Sequence, residues 1–221
     1  MQNKEIVIEL NHVNKYYGNT QILCDITASF EKGKIYGLIG RNGSGKTVLL
    51  KCICGIICAS SGEIKVNGKV VDGKSNIAVK TGVIIETPGF LKNYSGFQNL
   101  KFLANLHKKI SDQQIKDAIR LVGLDPNDKK HVGKYSLGMR QRLGIAQAIM
   151  EDPDLLLLDE PFNGLDRNGV DSMREVLLQF ANSGKTILLA SHNAEDIRIL
   201  CDEVYEIDAG IMNSECHSKR T

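Results

Sequence analysis

The sequence predicts an α/β fold with a parallel sheet at its core, an antiparallel β part before that core, and a helical subdomain inserted into it. Short apolar segments fill the N-terminal third of the chain, three helix-like segments follow, and strands alternate with helices after Pro153. Apolar strands that alternate with helices are typical of a parallel sheet covered on both faces. The helix-like stretch at 87–150 interrupts this alternation, so we expect it to be an insertion.

The first elements are predicted to be strands. Apolar residues alternate or cluster in segments at 6–10, 26–30, 34–39, 64–66, 69–71 and 82–86. Asn67-Gly68 lies between two of these segments and predicts a hairpin, because Asn-Gly readily adopts the positive φ angles of a tight turn. A helix is expected over 45–57, and Pro88-Gly89 ends the last of these strands.

The later elements are helices and strands in turn. Helices are expected at 96–107, 111–123, 137–150, 168–181 and 194–201, and strands at 155–158, 186–190 and 203–207. Ser111 and Gln114 have the spacing of a capping box. We therefore expect a single domain over 1–221, with its core at about 1–86 and 151–212, the helical subdomain at about 87–150 and a frayed tail at 213–221.

Composition argues against several classes of protein. The 221 residues carry 28 Lys and Arg against 26 Asp and Glu, and 5% of them are aromatic. A near-neutral chain with few aromatic rings does not resemble a nucleic-acid binder. No segment is apolar over the ~20 residues that a helix needs to cross a bilayer.

The six cysteines match no disulfide framework. Cys52, Cys54 and Cys58 have a spacing that fits no zinc pattern well, and they lack a histidine partner. We interpret the cysteines, including Cys216 in the tail, as core thiols in a reducing cytosol. Metal or redox chemistry is the alternative.

A phosphate-binding loop is predicted where an apolar strand meets a helix. The segment matches G-x-x-x-x-G-K-[ST], and with the next helical residue it comprises Gly40, Arg41, Asn42, Gly43, Ser44, Gly45, Lys46, Thr47 and Val48. Glycines let the backbone curl so that its N–H groups point at phosphates, and the helix adds its positive end. Lys46 supplies a charge for the β- and γ-phosphates, and the Thr47 hydroxyl is placed to hold Mg²⁺. The sequence therefore predicts a nucleoside triphosphate site.

Two acidic residues follow the four leucines of the predicted strand at 155–158. A buried parallel strand delivers the residues after it to the edge of the sheet where ligands bind. We expect Asp159 to hold Mg²⁺, directly or through water, and Glu160 to polarise the water that attacks the γ-phosphate.

With both motifs in hand, the segment Y-S-L-G-M-R-Q-R at 135–142 resembles the signature sequence of ATP-binding cassette (ABC) ATPases, whose usual form is L-S-G-G-Q. Ser136 and Gly138 match that form, whereas the residues around them depart from it. The segment 163–166 is similar to the D-loop of the family, and His192 resembles its switch histidine. Tyr17 resembles the aromatic residue that stacks on adenine, although Tyr16 is an alternative.

The resemblance implies a RecA-like P-loop NTPase fold and hydrolysis of ATP with Mg²⁺. It also implies a head-to-tail dimer in which Ser136 and Gly138 of one subunit face the phosphate loop of the other. The family's subunits of this kind work with a separate transmembrane permease, peripherally on the cytoplasmic face of the cell membrane and without nucleic acid. The stretch 86–100 would be the docking surface for that permease. Its apolar cluster, Phe90, Leu91, Tyr94 and Phe97, is either part of a binding groove or a small core of the helical subdomain.

One residue departs from the usual sequence of the family and indicates a smaller group within it. Glu86 stands where the family usually has glutamine. Together with the altered signature, it resembles the ATPases of bacterial bacitracin- and lantibiotic-type peptide export or immunity transporters. We expect Glu86 to replace the glutamine as a contact of the metal or its water, and to relay the nucleotide state to the helical subdomain.

Two other functions stay open on the sequence. One is a soluble ABC ATPase that acts on the ribosome or nucleic acid. The other is a regulatory module that holds ATP without hydrolysing it, and Glu160 and His192 argue against that function.

Overall fold

The computed structural model describes residues 5–73, 80–107 and 110–215, which form two β-sheets and six α-helices. The strands are β1 (Ile6–Tyr17), β2 (Thr20–Glu31), β3 (Ile35–Ile39), β4 (Ser61–Val66), β5 (Lys69–Val70), β6 (Thr81–Ile84), β7 (Leu155–Asp159), β8 (Thr186–Ala190), β9 (Glu203–Asp208) and β10 (Ile211–Glu215). The helices are α1 (Lys46–Ile53), α2 (Gly96–His107), α3 (Asp112–Leu121), α4 (Leu137–Ile149), α5 (Arg167–Asn182) and α6 (Ala194–Leu200).

The larger sheet has the strand order β10-β9-β3-β8-β7-β6. Five neighbouring strands, β9, β3, β8, β7 and β6, run parallel, and β10 adds an antiparallel edge. The predicted parallel core is confirmed. The carboxyl ends of β3, β8 and β7 consequently meet at one edge of the sheet.

Strand β7 has four consecutive leucines before Asp159, and the packing of the sheet explains them. Leu155 and Leu157 pack into the hydrophobic cluster on one face of the sheet, and Leu156 and Leu158 pack into the cluster on the other. All four are at most 1% exposed. Because side chains alternate across a strand, a strand buried on both faces needs an apolar residue at every position.

The smaller sheet is antiparallel and covers helix α1. Its order is β2-β1-β4-β5, and its apolar side chains share a cluster with Leu49, Leu50 and Ile53 of α1. The predicted hairpin joins β4 to β5, with Asn67 at φ +49° and Gly68 at φ +71°. Helix α1 is therefore sandwiched between the two sheets.

Helices α2, α3 and α4 lie between β6 and β7 in the chain, so the predicted helical insertion is confirmed. Ser111 caps α3 with the expected capping box to Gln114. The helices share a core with the second face of the parallel sheet, through residues such as Leu100, Ile119 and Leu143. None of the helices found within the described ranges is both long and apolar enough to span a membrane.

Several boundaries differ from those predicted. Strands β1 and β2 are longer, because they continue as a two-stranded ladder with bulges. Helix α1 ends at Ile53 instead of 57, because Cys54 caps it and Gly55 follows at φ +73°. The expectation that the chain frays from Asn213 is wrong up to Glu215, because β10 pairs with β9. Residues 216–221 lie outside the described residues.

The cysteines only partly match the expected core thiols. Cys52 and Cys201 are buried, Cys24 and Cys54 are partly buried, and Cys58 is exposed. Burial raises the pKa of the Cys52 thiol to about 11, so it stays protonated near neutral pH. Cys216 lies outside the described residues.

A cavity in β7 should be costly. We expect Leu157→Ala to lower the free energy of unfolding by about 2–5 kcal/mol, because packed strands on both sides prevent the site from collapsing. Leu106→Ala, at a helical position that is 75% exposed, should change it by less than about 0.5 kcal/mol. Urea unfolding measures both; equal losses would contradict the assignment of β7 to the core.

Candidate functional site

The site forms where the parallel strands end. The phosphate loop follows β3, Asp159 ends β7 with Glu160 next to it, and Ser191 and His192 follow β8. Since β8 lies between β3 and β7, these three chain segments are neighbours at one sheet edge.

Three glycines with positive φ angles shape the phosphate loop: Gly40 (144°), Gly43 (82°) and Gly45 (114°). At Gly40 a side chain would also collide with the sheet, because a Cβ there would lie 2.2 Å from the carbonyl oxygen of Ile207. The buried Lys46 then closes the curl, since its Nζ donates to the carbonyl oxygens of Gly40 at 2.7 Å and of Arg41 at 3.1 Å.

The Ser44 hydroxyl indicates that the loop binds an anion. Ser44 is 6% exposed, and its Oγ is buried without a hydrogen-bond partner among the described residues. A buried hydroxyl without a partner is costly, and an oxygen of a phosphate group would supply the missing acceptor. This orphaned donor, beside the ammonium group of Lys46 and the N-terminus of α1, fits a polyphosphate.

Thr47 and Asp159 lie together on facing elements. The Thr47 hydroxyl donates to Oδ2 of Asp159 at 2.6 Å, which ties α1 to the end of β7. No group of three or more His, Cys, Asp and Glu that could hold a metal occurs within residues 5–73, 80–107 and 110–215. The hydroxyl and carboxylate still suit Mg²⁺, which binds proteins through one or two oxygen ligands and completes its shell with phosphates and water.

Glu160 and His192 are in direct contact. Oε1 of Glu160 accepts the backbone N–H of His192 at 3.0 Å and lies 2.7 Å from its Nδ1. Glu160 has φ +49°, a left-handed conformation that is strained for a residue with a side chain. The surrounding structure thus holds this carboxylate in a particular direction.

Glu86 makes a contact that the sequence did not predict. Its carboxylate is paired with Nζ of Lys51 on α1 at 2.5 Å, and its side chain is 65% exposed. The hydrogen bond to Glu86 raises the pKa of Lys51, because it stabilises the charged ammonium form. The ion pair gives the Glu86 carboxylate a partner on α1, and its expected contact with a metal or its water stays a prediction.

A cavity of about 690 Å³ joins these groups. The phosphate-loop residues 42–48 line it together with the acidic residues Glu86, Asp159 and Glu160. Tyr17, which is 51% exposed, lines its rim, so the structure favours Tyr17 over Tyr16 as the ring beside the site. The volume of the cavity falls in the range of small-molecule and cofactor sites.

Other predicted residues lie elsewhere. Gly40, Arg41 and His192 line a neighbouring cavity of about 590 Å³. Ser136 caps α4 by accepting the N–H of Met139 at 3.1 Å. Gly138 packs against the segment at 163–166. A Cβ added at Gly138 would lie 2.9 Å from the carbonyl oxygen of Gly164. Within the described residues, Ser136 and Gly138 line neither cavity.

The sequence interpretation missed several contacts. Gln141 lines the larger cavity, and its Nε2 donates to the carbonyl oxygen of Glu160 at 3.4 Å. Leu137 lines the same cavity, four positions earlier on α4. The helical spacing of these two residues was the available signal, since i and i+4 share a face.

Comparison with known proteins identifies the family of the chain. The family model described as "ABC transporter" matches residues 23–163. The chain is 45% identical to an uncharacterized ABC transporter ATP-binding protein, YybJ of Bacillus subtilis (strain 168), over 92% of this chain and 94% of that protein. It is 41% identical to the bacitracin transport ATP-binding protein BcrA of Enterococcus faecalis, over 96% of this chain and 69% of that protein.

A third relative is the lantibiotic transport ATP-binding protein SrtF of Streptococcus pyogenes, which is 37% identical over 89% of this chain and 84% of its own length. Among solved structures, the dimeric post-hydrolysis state of the ATP-binding cassette MJ0796 with ADP and Pi has a TM-score of 0.88 and covers 97% of this chain and 100% of its own. At 17% identity this likeness concerns the fold. The predicted resemblance to bacitracin- and lantibiotic-type ATPases is confirmed.

Removing the unpaired Ser44 hydroxyl should change the stability of the protein and its ATP affinity in opposite directions. We expect Ser44→Ala to raise the free energy of unfolding by about 1 kcal/mol without nucleotide, because it removes an unpaired buried donor. The same variant should weaken ATP binding about tenfold, because the phosphate loses a donor.

Thr81→Val is the matched control. Its Oγ1 is also buried without a partner among the described residues, but it lies at the amino end of β6, far from the carboxyl edge. This variant should gain stability and leave ATP affinity unchanged. Thermal unfolding and calorimetry with ATP measure both quantities; unaltered affinity in Ser44→Ala would remove this hydroxyl from the site.

Proposed function

The chain belongs to the ABC transporter family and is one of its ATPase subunits, and from this premise we propose that it binds MgATP in the 690 Å³ cavity and hydrolyses it to drive a separate membrane-spanning subunit. One observation carries the proposal: the carboxylates of Asp159 and Glu160 line the same cavity as Lys46 and Thr47. A phosphate-binding cation and a water-activating anion on one cavity are what γ-phosphate hydrolysis requires.

The phosphate tail of ATP would lie in the glycine loop. Backbone N–H groups, the N-terminus of α1 and the ammonium of Lys46 would bind its negative charges, and Ser44 would donate to a phosphate oxygen. Thr47 and Asp159 would hold Mg²⁺, which when bound neutralises charge on the β- and γ-phosphates. Tyr17 at the rim would stack on the adenine ring, a contact worth about 1–3 kcal/mol for a base.

Glu160 would accept a proton from the attacking water. Its carboxylate is oriented by the two contacts with His192, one from the backbone and one from the ring. The side chain of His192 is 62% exposed, so its ring could also meet the γ-phosphate or the water. We assign the base to Glu160 and the orienting role to His192.

Two subunits would share each nucleotide. Ser136 and the N-terminus of α4 form a second cluster of backbone donors, and this cluster does not line the cavity formed by the described residues of its own subunit. A head-to-tail dimer would bring Ser136 and Gly138 of one subunit to the phosphate loop of the other. The nucleotide then becomes part of the dimer interface, and hydrolysis opens it.

The membrane partner would dock beside the start of α2. Phe90 and Phe97 pack against the core, whereas Leu91 is 54% exposed and Tyr94 is 41% exposed. Tyr94 makes an edge-to-face contact with Phe102, which is 43% exposed, so the two rings form one outer surface, three residues after Leu91 in the chain. We propose that this surface receives a permease at the cytoplasmic face of the membrane.

The relatives' names support a proposal for the class of cargo. Since BcrA is named for bacitracin transport and SrtF for lantibiotic transport, we propose export of, or immunity to, a peptide or drug-like compound. The same names favour a transporter subunit over an ABC ATPase acting on the ribosome or nucleic acid.

The role of Glu160 predicts a separation of binding from chemistry. Glu160→Gln should slow single-turnover hydrolysis by about 10²–10⁴-fold, because an amide cannot take the proton from water. ATP affinity should stay within about twofold, because the loop and Lys46 are intact. Glu175→Gln, at an exposed position of α5, is the control and should match the wild type. Hydrolysis at the wild-type rate in Glu160→Gln would contradict the assignment.

The dimer predicts a difference between two helix caps. Ser136→Ala and Ser111→Ala each remove an N-cap hydroxyl, and each should cost about 1 kcal/mol of stability. Only Ser136→Ala should weaken ATP-dependent dimerisation and slow hydrolysis. Analytical ultracentrifugation with and without MgATP measures the association; equal behaviour of the two variants would place Ser136 outside the dimer interface.

A further inference from the structure

We propose that Arg174 is a positioning residue for ATP hydrolysis, because its buried ion pair with Asp196 fixes the turn that holds His192 against Glu160. The inference rests on the hydrolytic role proposed above for Glu160. It concerns a residue on α5 that lines neither cavity among the described residues.

The ion pair is nearly inaccessible to solvent. The side chain of Arg174 is 8% exposed and that of Asp196 is 3% exposed. Nε and Nη2 of the guanidinium both donate to Oδ1 of Asp196, at 2.9 and 2.5 Å. Asp171 and Glu195 add further carboxylates at 3.0 and 3.5 Å. A planar guanidinium held by several carboxylates has little freedom to move.

Asp196 connects the Arg174 guanidinium to the turn after β8. Its second oxygen, Oδ2, lies 3.5 Å from Oγ of the buried Ser191. Oγ of Ser191 also accepts the backbone N–H of Asn193 at 3.1 Å. The serine hydroxyl thus connects the acidic side chain of α6 to both ends of the three-residue turn 191–193.

His192 is the middle residue of that turn. Its backbone N–H and its Nδ1 both contact Oε1 of Glu160. A shift of the turn therefore moves both groups that orient the carboxylate of Glu160. Small displacements of a reacting group cost much of the rate, because the attack geometry is lost.

Stability alone does not require this pair. Replacing both members of a buried ion pair by apolar residues of similar size is often neutral or stabilising, whereas removing one member leaves a buried charge without its partner. A double apolar replacement consequently preserves the packing but removes the polar link to Ser191. This difference makes the proposal testable.

The experiment compares four proteins: the wild type, Arg174→Met/Asp196→Leu, Ser191→Ala and Lys185→Met. The last is the matched control, because Nζ of Lys185 bridges Asp152 and Asp154 at the opposite, amino edge of the sheet. For each protein we would measure thermal unfolding, ATP affinity, single-turnover hydrolysis and the ¹⁵N resonances of the His192 ring. The ring resonances report the contact of Nδ1 with Glu160 without depending on turnover.

We expect the double variant to unfold near the wild-type temperature and to bind ATP within about twofold of the wild type. Its hydrolysis should be about 10–100-fold slower, and the His192 resonances should shift. Ser191→Ala should show a smaller loss of the same kind, and Lys185→Met should hydrolyse like the wild type.

Wild-type hydrolysis with unchanged His192 resonances in the double variant would overturn the proposal. If the double variant does not fold, Ser191→Ala decides: an unchanged rate with unchanged resonances would also overturn it. Failure of the proposed function gives a different result, because the wild type and Glu160→Gln would then hydrolyse ATP at the same rate. In that case the ring resonances still report whether Arg174 holds the turn.

Discussion

Burial of the central strands on both faces is the constraint on which the site depends. Residues 155–158 of β7 and 187–190 of β8 are all apolar because each face of these strands packs against a separate hydrophobic cluster. Fixed strands fix their ends, and parallel strands place those ends at one edge. The carboxylates after β7, the turn after β8 and the loop after β3 meet there as a result.

The same rigidity lets the site contain unfavourable features. Glu160 has a left-handed backbone, which costs about 1–3 kcal/mol for a residue with a side chain. Ser44 buries a hydroxyl that has no partner among the described residues. Both features persist because the packed core around them holds them in place, and both suit a site that completes its hydrogen bonds on binding a substrate.

The sequence predicted the parts of this architecture that are local. The strands of the parallel sheet, the Asn67-Gly68 hairpin and the phosphate loop each depend on contiguous residues, so their patterns are visible in one segment. Strand β10 was missed because its pairing partner, and not its composition, makes it a strand. The ion pair of Arg174 and Asp196 was missed for a similar reason: charged residues on helices are usually exposed, and only the packing of α5 on α6 buries them.

Glu86 shows how charge is balanced when a site departs from its family's pattern. A glutamate adds a negative charge on a cavity that already holds Asp159 and Glu160. The ammonium of Lys51, one helical turn after Thr47, pairs with that glutamate, so the pair carries no net charge, like the glutamine it replaces. The side chain of Glu86 is 65% exposed, so solvent screens the pair and its contribution to stability is about 0–1 kcal/mol.

A contact this weak separates easily, and its separation restores a free carboxylate at the junction between the parallel sheet and the helical subdomain. The ion pair and the relay that the sequence suggested for Glu86 are therefore compatible, since the first governs the charge of the cavity and the second would require only that the pair can open.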